Sequence, residues 1–411
     1  MSRIVIFNTI YAQGSQLAMM VMQAVYFIII ARSLSPEGYG SYLSVLALVS
    51  FFMVFSAFGS ERLMIRDISL NRNKFNIYWG SALLSLFLLC LVVIFLIVII
   101  GKYFFENNID IKLLLFIAIS DCLFAQIVNI HSYAFQAMQK INYMGFCKIL
   151  LSFCRLISVI VFLYYSSTLT AEAWAIFNLI ASFFGALFVT IFAIKCNGLP
   201  ILNLYYFKNI FSGLSFAATS SAVYASNDID KVMLSSIVGQ SAVGIYGAAY
   251  KLINISFTPI LSLLISTYAI FFEKSTVSIK AVFDYAFKLS IVALPFGLII
   301  SISILFFAPV VPFILGDKYA SSVTAMRLLS FLPVIKIFQY FGGDALTALN
   351  MQNHRLSVVV ISTAINVILN FVLIPLYSWK GAILSTLICD LFIALSIWTL
   401  LVFKVKKSAE V

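Results

Sequence analysis

Asp228, Asp230 and Lys231 sit together inside an otherwise apolar run from Phe211 to Val238. That run is long enough to cross a bilayer. A charge at such depth costs roughly 2.5–3.5 kcal/mol on insertion scales, so these residues face a protein interior or a water-filled cavity and mark ion or substrate paths. Asp228 and Lys231 are three apart and share a helix face. With a turn near Ser241, Asp230 lies 11 residues before it and Lys251 lies 10 after it. At about 1.5 Å per residue the two reach nearly the same depth. A cluster of Asp228, Asp230, Lys231 and Lys251 can hold a cation or a proton, or it can ligate an anionic substrate. The competing reading is a net-neutral clamp between two helices.

The same depth arithmetic sorts the other charges. Asp121 and Arg155 lie 19 and 15 residues from a turn near Lys140. They differ by roughly 6 Å in depth, within reach of an arginine, and they read as a pair. Arg327, Lys336 and Asp344 share one span. At 100° per residue Arg327 and Lys336 lie on opposite faces and cannot line one pocket of a straight helix. Asp390 is level with Asn366 and reads as an interhelical hydrogen bond. Arg32 ends the first span, where it can snorkel, and Arg62 and Arg66 end the second as topology charges. Gln13, Gln16 and Gln23 form one helical stripe, which in lipid must face other helices or a cavity. Amides of this kind donate to and accept from sugar hydroxyls. The candidate substrate ligands are Lys231, Lys251, Arg327 and Gln16, with Arg32, Arg62 and Arg155 added as ligands in place of the structural roles just given. The candidate cation-coupling groups are Asp228, Asp230 and Asp121.

These residues need helices to hold them. Of 411 residues 63% are hydrophobic and only 10% charged, and the mean hydropathy is +1.08. Soluble domains carry about 25% charged residues, so the chain is an all-α integral membrane protein with little left over for a soluble domain. Twelve spans are expected, at roughly 8–31, 40–60, 78–101, 111–136, 146–165, 171–195, 209–237, 242–267, 285–307, 322–349, 356–377 and 380–403. The N-terminus has no cleavage-site pattern and reads as an uncleaved first helix. With that terminus inside, the inner segments carry 16 Lys and Arg and the outer ones 5, which makes both termini cytoplasmic. The net charge of +11 follows from that topology and does not imply a nucleic-acid partner.

The chain also looks doubled. Tyr39-Gly40 precedes Tyr246-Gly247 by 207 residues, about half the length. Six spans per half give parallel repeats about an axis along the membrane normal. The expected division is a lobe over 1–197, a linker over 198–208 and a second lobe over 209–411. The six cysteines are scattered, and His131 and His354 are far apart, so neither a disulfide framework nor a metal site is expected. No phosphate-binding Gly-rich loop is present. No cofactor is implied, and no loop is long enough for a catalytic domain.

Ala31-Arg-Ser-Leu-Ser-Pro-Glu-Gly-Tyr-Gly-Ser-Tyr, Asp230-Lys-Val-Met-Leu leading to Val243-Gly-Ile-Tyr-Gly, Phe313-Ile-Leu-Gly-Asp-Lys-Tyr, and Asn370-Phe-Val-Leu-Ile-Pro before Lys380-Gly-Ala recur in an order and spacing of their own. In that order the chain resembles the Wzx-type O-antigen flippases, the polysaccharide branch of the multidrug/oligosaccharidyl-lipid/polysaccharide exporter superfamily. The resemblance implies two six-helix bundles forming a V around a central cavity in the bacterial inner membrane. It implies a non-enzymatic transfer of an undecaprenyl-diphosphate-linked oligosaccharide between leaflets, driven by H+ or Na+. Its partners would be membrane lipid, a polysaccharide polymerase and a chain-length regulator. Asp230 and Lys231 fall on the family motif. Lys251, Asp121 and Arg327 rest on depth alone.

Two rival functions remain at this level. A small-molecule cation/drug antiporter of the same superfamily predicts a compact acidic pocket, yet the spans hold five basic and five acidic residues. A polysaccharide polymerase needs a long outer loop, and the outer connections are short.

Overall fold

The computed structural model describes residues 3–105 and 108–409. The described residues are helical almost throughout, because each long apolar run must satisfy its backbone internally to enter lipid. In order the main helices are Arg3–Ala57, Ser60–Leu70, Phe75–Phe105, Ile111–Ile119, Gln126–Ala137, Ile141–Tyr165, Ala171–Asn197, Ile210–Ile237, Gln240–Ser256, Thr258–Ser275, Ile279–Phe307, Ala320–Leu329, Leu332–Ala348, Gln352–Tyr377 and Trp379–Ala409. Among the described residues eight helices are long and apolar enough to cross a membrane, or ten when each of two bent pairs counts as one span. Large apolar side chains such as Phe95, Phe296 and Leu395 are exposed on them, as lipid-facing surfaces require.

Local signals set the ends and the breaks. Thr170 and Ser278 cap their helices by accepting from the amides of Ala173 (3.2 Å) and Ala281 (3.0 Å). The first helix is broken at Ser35, whose φ of 61° and ψ of 168° are not helical. Pro36 follows and cannot supply an amide there. Pro333, in the first turn of Leu332–Ala348, accompanies a 49° bend from the preceding helix.

Two compact units emerge, one of Met1–Leu34 with Ser41–Tyr224 and one of Ser35–Gly40 with Ala225–Val411. The first has a core around Trp79, Leu86, Phe135 and Val189. The 198–208 segment is docked onto this unit. The Ile201 amide donates to the Asn76 carbonyl at 2.9 Å, the Tyr206 amide to Ser81 Oγ at 3.0 Å, and the Tyr206 hydroxyl to Asp67 Oδ2 at 3.1 Å. Burial first, and then the Asp67 charge, push the Tyr206 phenol well above its ordinary range. The dividing point therefore falls later, inside Ile210–Ile237.

The second unit is centred on Phe257, Phe271, Phe341, Ile397 and Leu401. It also contains the 35–40 turn. Gly40 lies so close to the Gln240 carbonyl that a Cβ would overlap it, and Gly244 stands in the same relation to the Pro36 carbonyl. Only glycine allows this reciprocal backbone approach.

Candidate functional site

The helix Ile210–Ile237 ends at Gly239, whose φ of 118° few other residues adopt, and the next helix starts at Gln240. The turn is two residues earlier than Ser241. The position level with Asp230 therefore moves toward the N-terminus, nearer to Tyr246 than to Lys251. The Tyr246 hydroxyl donates to Asp230 Oδ2, and Thr386 Oγ1 approaches the same oxygen at 3.4 Å. The Lys231 amide donates to Asp230 Oδ1 at 2.7 Å. Lys231 Nζ reaches Asp228 Oδ1 at 2.5 Å, the Asn227 carbonyl at 2.9 Å and Asp230 Oδ1 at 3.9 Å.

Tyr250 joins this group to a second ion pair. Lys231 Nζ lies 5.0 Å from its ring centroid and Lys336 Nζ lies 5.7 Å from it. Lys336 also contacts the Tyr250 hydroxyl at 3.4 Å and Asp390 Oδ2 at 4.0 Å. That carboxylate oxygen is buried and has no hydrogen-bond partner among the described residues. Between the groups lies a cavity of about 20 Å³ lined by Asp230, Tyr250, Ser362, Asn366, Thr386 and Asp390, enough for one water molecule. Two carboxylates, hydroxyls and an amide around so small a space can hold a proton or a compact hard cation. No group of three or more His, Cys, Asp or Glu side chains converges among the described residues.

The first unit holds the other buried charges. Arg155 Nη2 meets Asp121 Oδ1 at 2.5 Å. Around them Arg155 Nε contacts Ser182 Oγ at 3.2 Å, Asn178 donates to Ser120 Oγ at 2.9 Å, and Ser120 bonds Ser182 at 2.8 Å. Ser120–Ala125 forms a π-helical turn, a single-turn insertion that re-aims side chains. Beside this group the Tyr26 and Tyr42 hydroxyls bond at 2.8 Å, and Trp174 packs on both rings.

The remaining candidates scatter. Lys251 is half-buried and feels Lys231 and Asp228 electrostatically, but it forms no ion pair among the described residues. Arg327 is exposed. The straight-helix argument that separated it from Lys336 does not apply, because the chain bends between them. Arg32 is exposed just before the break at Ser35. Arg62 lies over the Tyr133 ring at 5.0 Å, as does Lys148 at 5.5 Å. Gln16 and Gln23 are exposed, and the side chain of Gln13 lies outside the described residues. Asp344 pairs with Arg355 at 3.7 Å, and Asp390 turns to Lys336. Sequence reasoning missed Tyr246, Tyr250 and the Lys336–Asp390 pair.

The backbone also has two matching breaks. Ser35 and Gly239 share a non-helical conformation with positive φ and ψ near 170°. Their separation, 35 to 239, aligns Tyr42 with Tyr246 and Tyr26 with Asp230. Both hydroxyl-centred pairs span 16 residues. A second match is Gln139 with Asn350, at φ 61° and 58°, each followed by an amide bonded five residues back (Lys140 to Phe135, Met351 to Leu346). That is the same helix-ending motif twice.

The sequence model of the polysaccharide biosynthesis protein family matches residues 5–271. An uncharacterized membrane protein of Methanocaldococcus jannaschii is 24% identical over 396 residues, covering 87% of this chain and 76% of that one. Among solved structures, an inward-facing multidrug resistance MATE family transporter of the MOP superfamily is similar at a TM-score of 0.77 and 15% identity, covering 95% of this chain and 96% of that one. The lipid II flippase MurJ, in an inward closed conformation, is similar at 0.73 and 14%, covering 98% and 87%. A MOP superfamily transporter from Pyrococcus furiosus, described as having a binding pocket of reversed polarity, is similar at 0.66 and 14%, covering 97% and 95%. At these identities the structural likenesses show the fold alone.

Proposed function

Since this chain belongs to the polysaccharide biosynthesis protein family, we propose that it is a flippase for an undecaprenyl-diphosphate-linked oligosaccharide in the bacterial inner membrane. It moves this lipid from the inner to the outer leaflet by alternating access, driven by a proton or sodium gradient. The observation that carries the reading is the charged centre of the second unit: Asp230 and Asp390 facing one small polar cavity inside apolar helices. Such groups are costly in a membrane and mark ion paths. The cation enters at Asp230, held by Tyr246 and Thr386. Asp228 neutralises Lys231, so that lysine serves the centre before it serves a substrate phosphate. Arg62, at an inner helix end, Arg32, at an outer one, and Lys251 are each separate candidates for contact with the diphosphate, and Gln16 is a candidate for contact with sugar hydroxyls.

The topology follows from the same reading. Splitting the 57-residue stretch Gly14–Leu70 at its break, counting each bent pair as one span and adding Ile210–Ile237 gives twelve spans. At about 1.5 Å per residue the 57-residue stretch is far longer than one bilayer crossing. Both termini are then cytoplasmic, and each half carries six helices.

Expression in a strain lacking its own oligosaccharide-lipid flippase tests the proposal. Surface polysaccharide should return with the parent chain and fail with Asp230→Asn at equal protein level. Proteoliposomes with an imposed Na+ or pH gradient identify the driving ion. Export of small cationic drugs without movement of the glycolipid would replace the proposal with an antiporter.

A further inference from the structure

A second opening in the second unit is larger and has a different chemistry. Glu37, Gln240, Ser241, Ser378 and Trp379 line an open groove of about 510 Å³ together with Val238, Ala242 and Ile245. The volume is in the range of small-molecule sites. Three turns contribute, those at 35–40, 238–242 and 378–379. Each contains a residue of positive φ: Ser35 at 61°, Gly239 at 118° and Ser378 at 55°. Backbone in this region is strained for a residue other than glycine and persists only where its surroundings fix it; it clusters at binding sites. The reciprocal contacts of Gly40 with Gln240 and of Gly244 with Pro36 lock two of the turns together. Lys380 lies over the Trp379 ring, 5.6 Å from its centroid, and orients the indole.

An indole flanked by a carboxylate, an amide and two hydroxyls is the combination that recognises a neutral sugar. The flat face takes the apolar C–H face of a pyranose, and the polar rim takes its hydroxyls. We propose that this groove is a glycan subsite, which binds one or two sugars of the transported oligosaccharide. Trp379 is the stacking platform, and Glu37 and Ser241 are hydroxyl ligands. The proposal rests on the flippase reading. On the orientation argued above, these turns face the outer side, so the subsite receives the glycan once the centre has opened outward.

The test uses the full chain in nanodisc or detergent. The probes are undecaprenyl diphosphate without sugar and the oligosaccharide-bearing lipid extracted from the source strain. Trp379→Ala should weaken binding of the glycan-bearing lipid by about five- to tenfold, with Trp379→Phe retaining most of it. Glu37→Gln should weaken it about threefold. Binding of the sugar-free diphosphate should stay the same in all three. Equal binding of the glycan-bearing lipid by parent, Glu37→Gln and Trp379→Ala overturns the subsite. If Trp379→Ala fails to fold, Glu37→Gln and Trp379→Phe decide: parent-like affinity in the first, with free oligosaccharide failing to compete in the second, also overturns it. A parent chain that binds neither lipid sinks the flippase reading instead, and so the two failures are distinguishable.

Discussion

The two units each bury a polar centre in apolar helices, and they finish it differently. In the first unit Asp121 and Arg155 meet at 2.5 Å, with hydroxyls of Ser120 and Ser182 and the amide of Asn178 closed around them. One positive charge meets one negative charge. In the second unit Asp228, Asp230 and Asp390 meet Lys231 and Lys336, the Lys336–Asp390 pair stays at 4.0 Å, and a one-water cavity remains. A buried pair that only joins helices needs short, saturated contacts to offset desolvation. The first centre closes its one ion pair at 2.5 Å and leaves only a neutral atom, Asn178 Oδ1, without a partner among the described residues, whereas the second leaves a carboxylate oxygen of Asp390 so. Each unit thus has a tyrosine hydroxyl bonded to a residue 16 positions earlier, to the neutral Tyr26 from Tyr42 in the first and to the ionisable Asp230 from Tyr246 in the second.

The largest expected effect breaks the first centre. Asp121→Ala leaves Arg155 without its carboxylate and should cost about 3 kcal/mol, the lower end for a broken buried pair, since a quarter of the Arg155 side chain remains exposed. Adding Arg155→Met should recover most of that loss in thermal unfolding. Asp230→Asn should behave in the opposite sense. Lys231 keeps Asp228 and the Tyr246 hydroxyl keeps an acceptor, so stability should fall by less than about 1.5 kcal/mol while cation-driven transport is lost. If Asp121→Ala is benign to stability and Asp230→Asn unfolds the protein, the contrast between the centres is reversed.

Tyr42 and Tyr246 sharpen the comparison. Tyr246→Phe removes a hydrogen bond to a carboxylate and should cost about 1.5–3 kcal/mol, whereas Tyr42→Phe removes a bond between two hydroxyls and should cost about 0.5–1.5 kcal/mol. Chemical unfolding of both variants under one condition measures the difference. Equal costs would mean that Asp230 is neutral in the folded protein.

Much of this was legible in the sequence, for reasons that lipid imposes. Continuous apolar runs of about 20 residues cross lipid as helices, whereas barrel strands are shorter and alternate, so the hydropathy pattern gives the fold class. Asp228 and Lys231 pair because three residues return a helix to the same face, and Asp121 finds Arg155 because depth is arithmetic along two straight helices. The rest fails where helices are not straight or where polarity carries no charge. The bend before Leu332 redirects Lys336 toward Asp390. Tyr246 and Tyr250 look like two of many membrane aromatics until a carboxylate and two lysines are seen against them. The Tyr-Gly spacing suggests a separation of 207 residues, whereas the backbone breaks at Ser35 and Gly239 are 204 apart, a detail of conformation that residue types alone do not carry.

The smallest effect concerns Lys251, at the edge of the second centre. It feels Asp228 and Lys231 but closes no ion pair among the described residues, so Lys251→Gln should change stability by less than about 0.5 kcal/mol. Its charge is coupled to Lys231 and Asp228, which adjoin Asp230, and on the proposed reading it bears on a cation there. A nearby positive charge raises the energy of a cation at Asp230, and Coulomb's law at an effective dielectric near 20 leaves a fraction to about 1 kcal/mol at such range after screening. Removing it should therefore tighten apparent cation affinity about threefold, read as a lower half-saturating Na+ or proton concentration in transport. Its effect on the diphosphate runs the other way, because a lost lysine weakens anion binding. A variant with weaker cation affinity would place Lys251 among the groups that build the ion site, and the second centre would then be charge-balanced like the first.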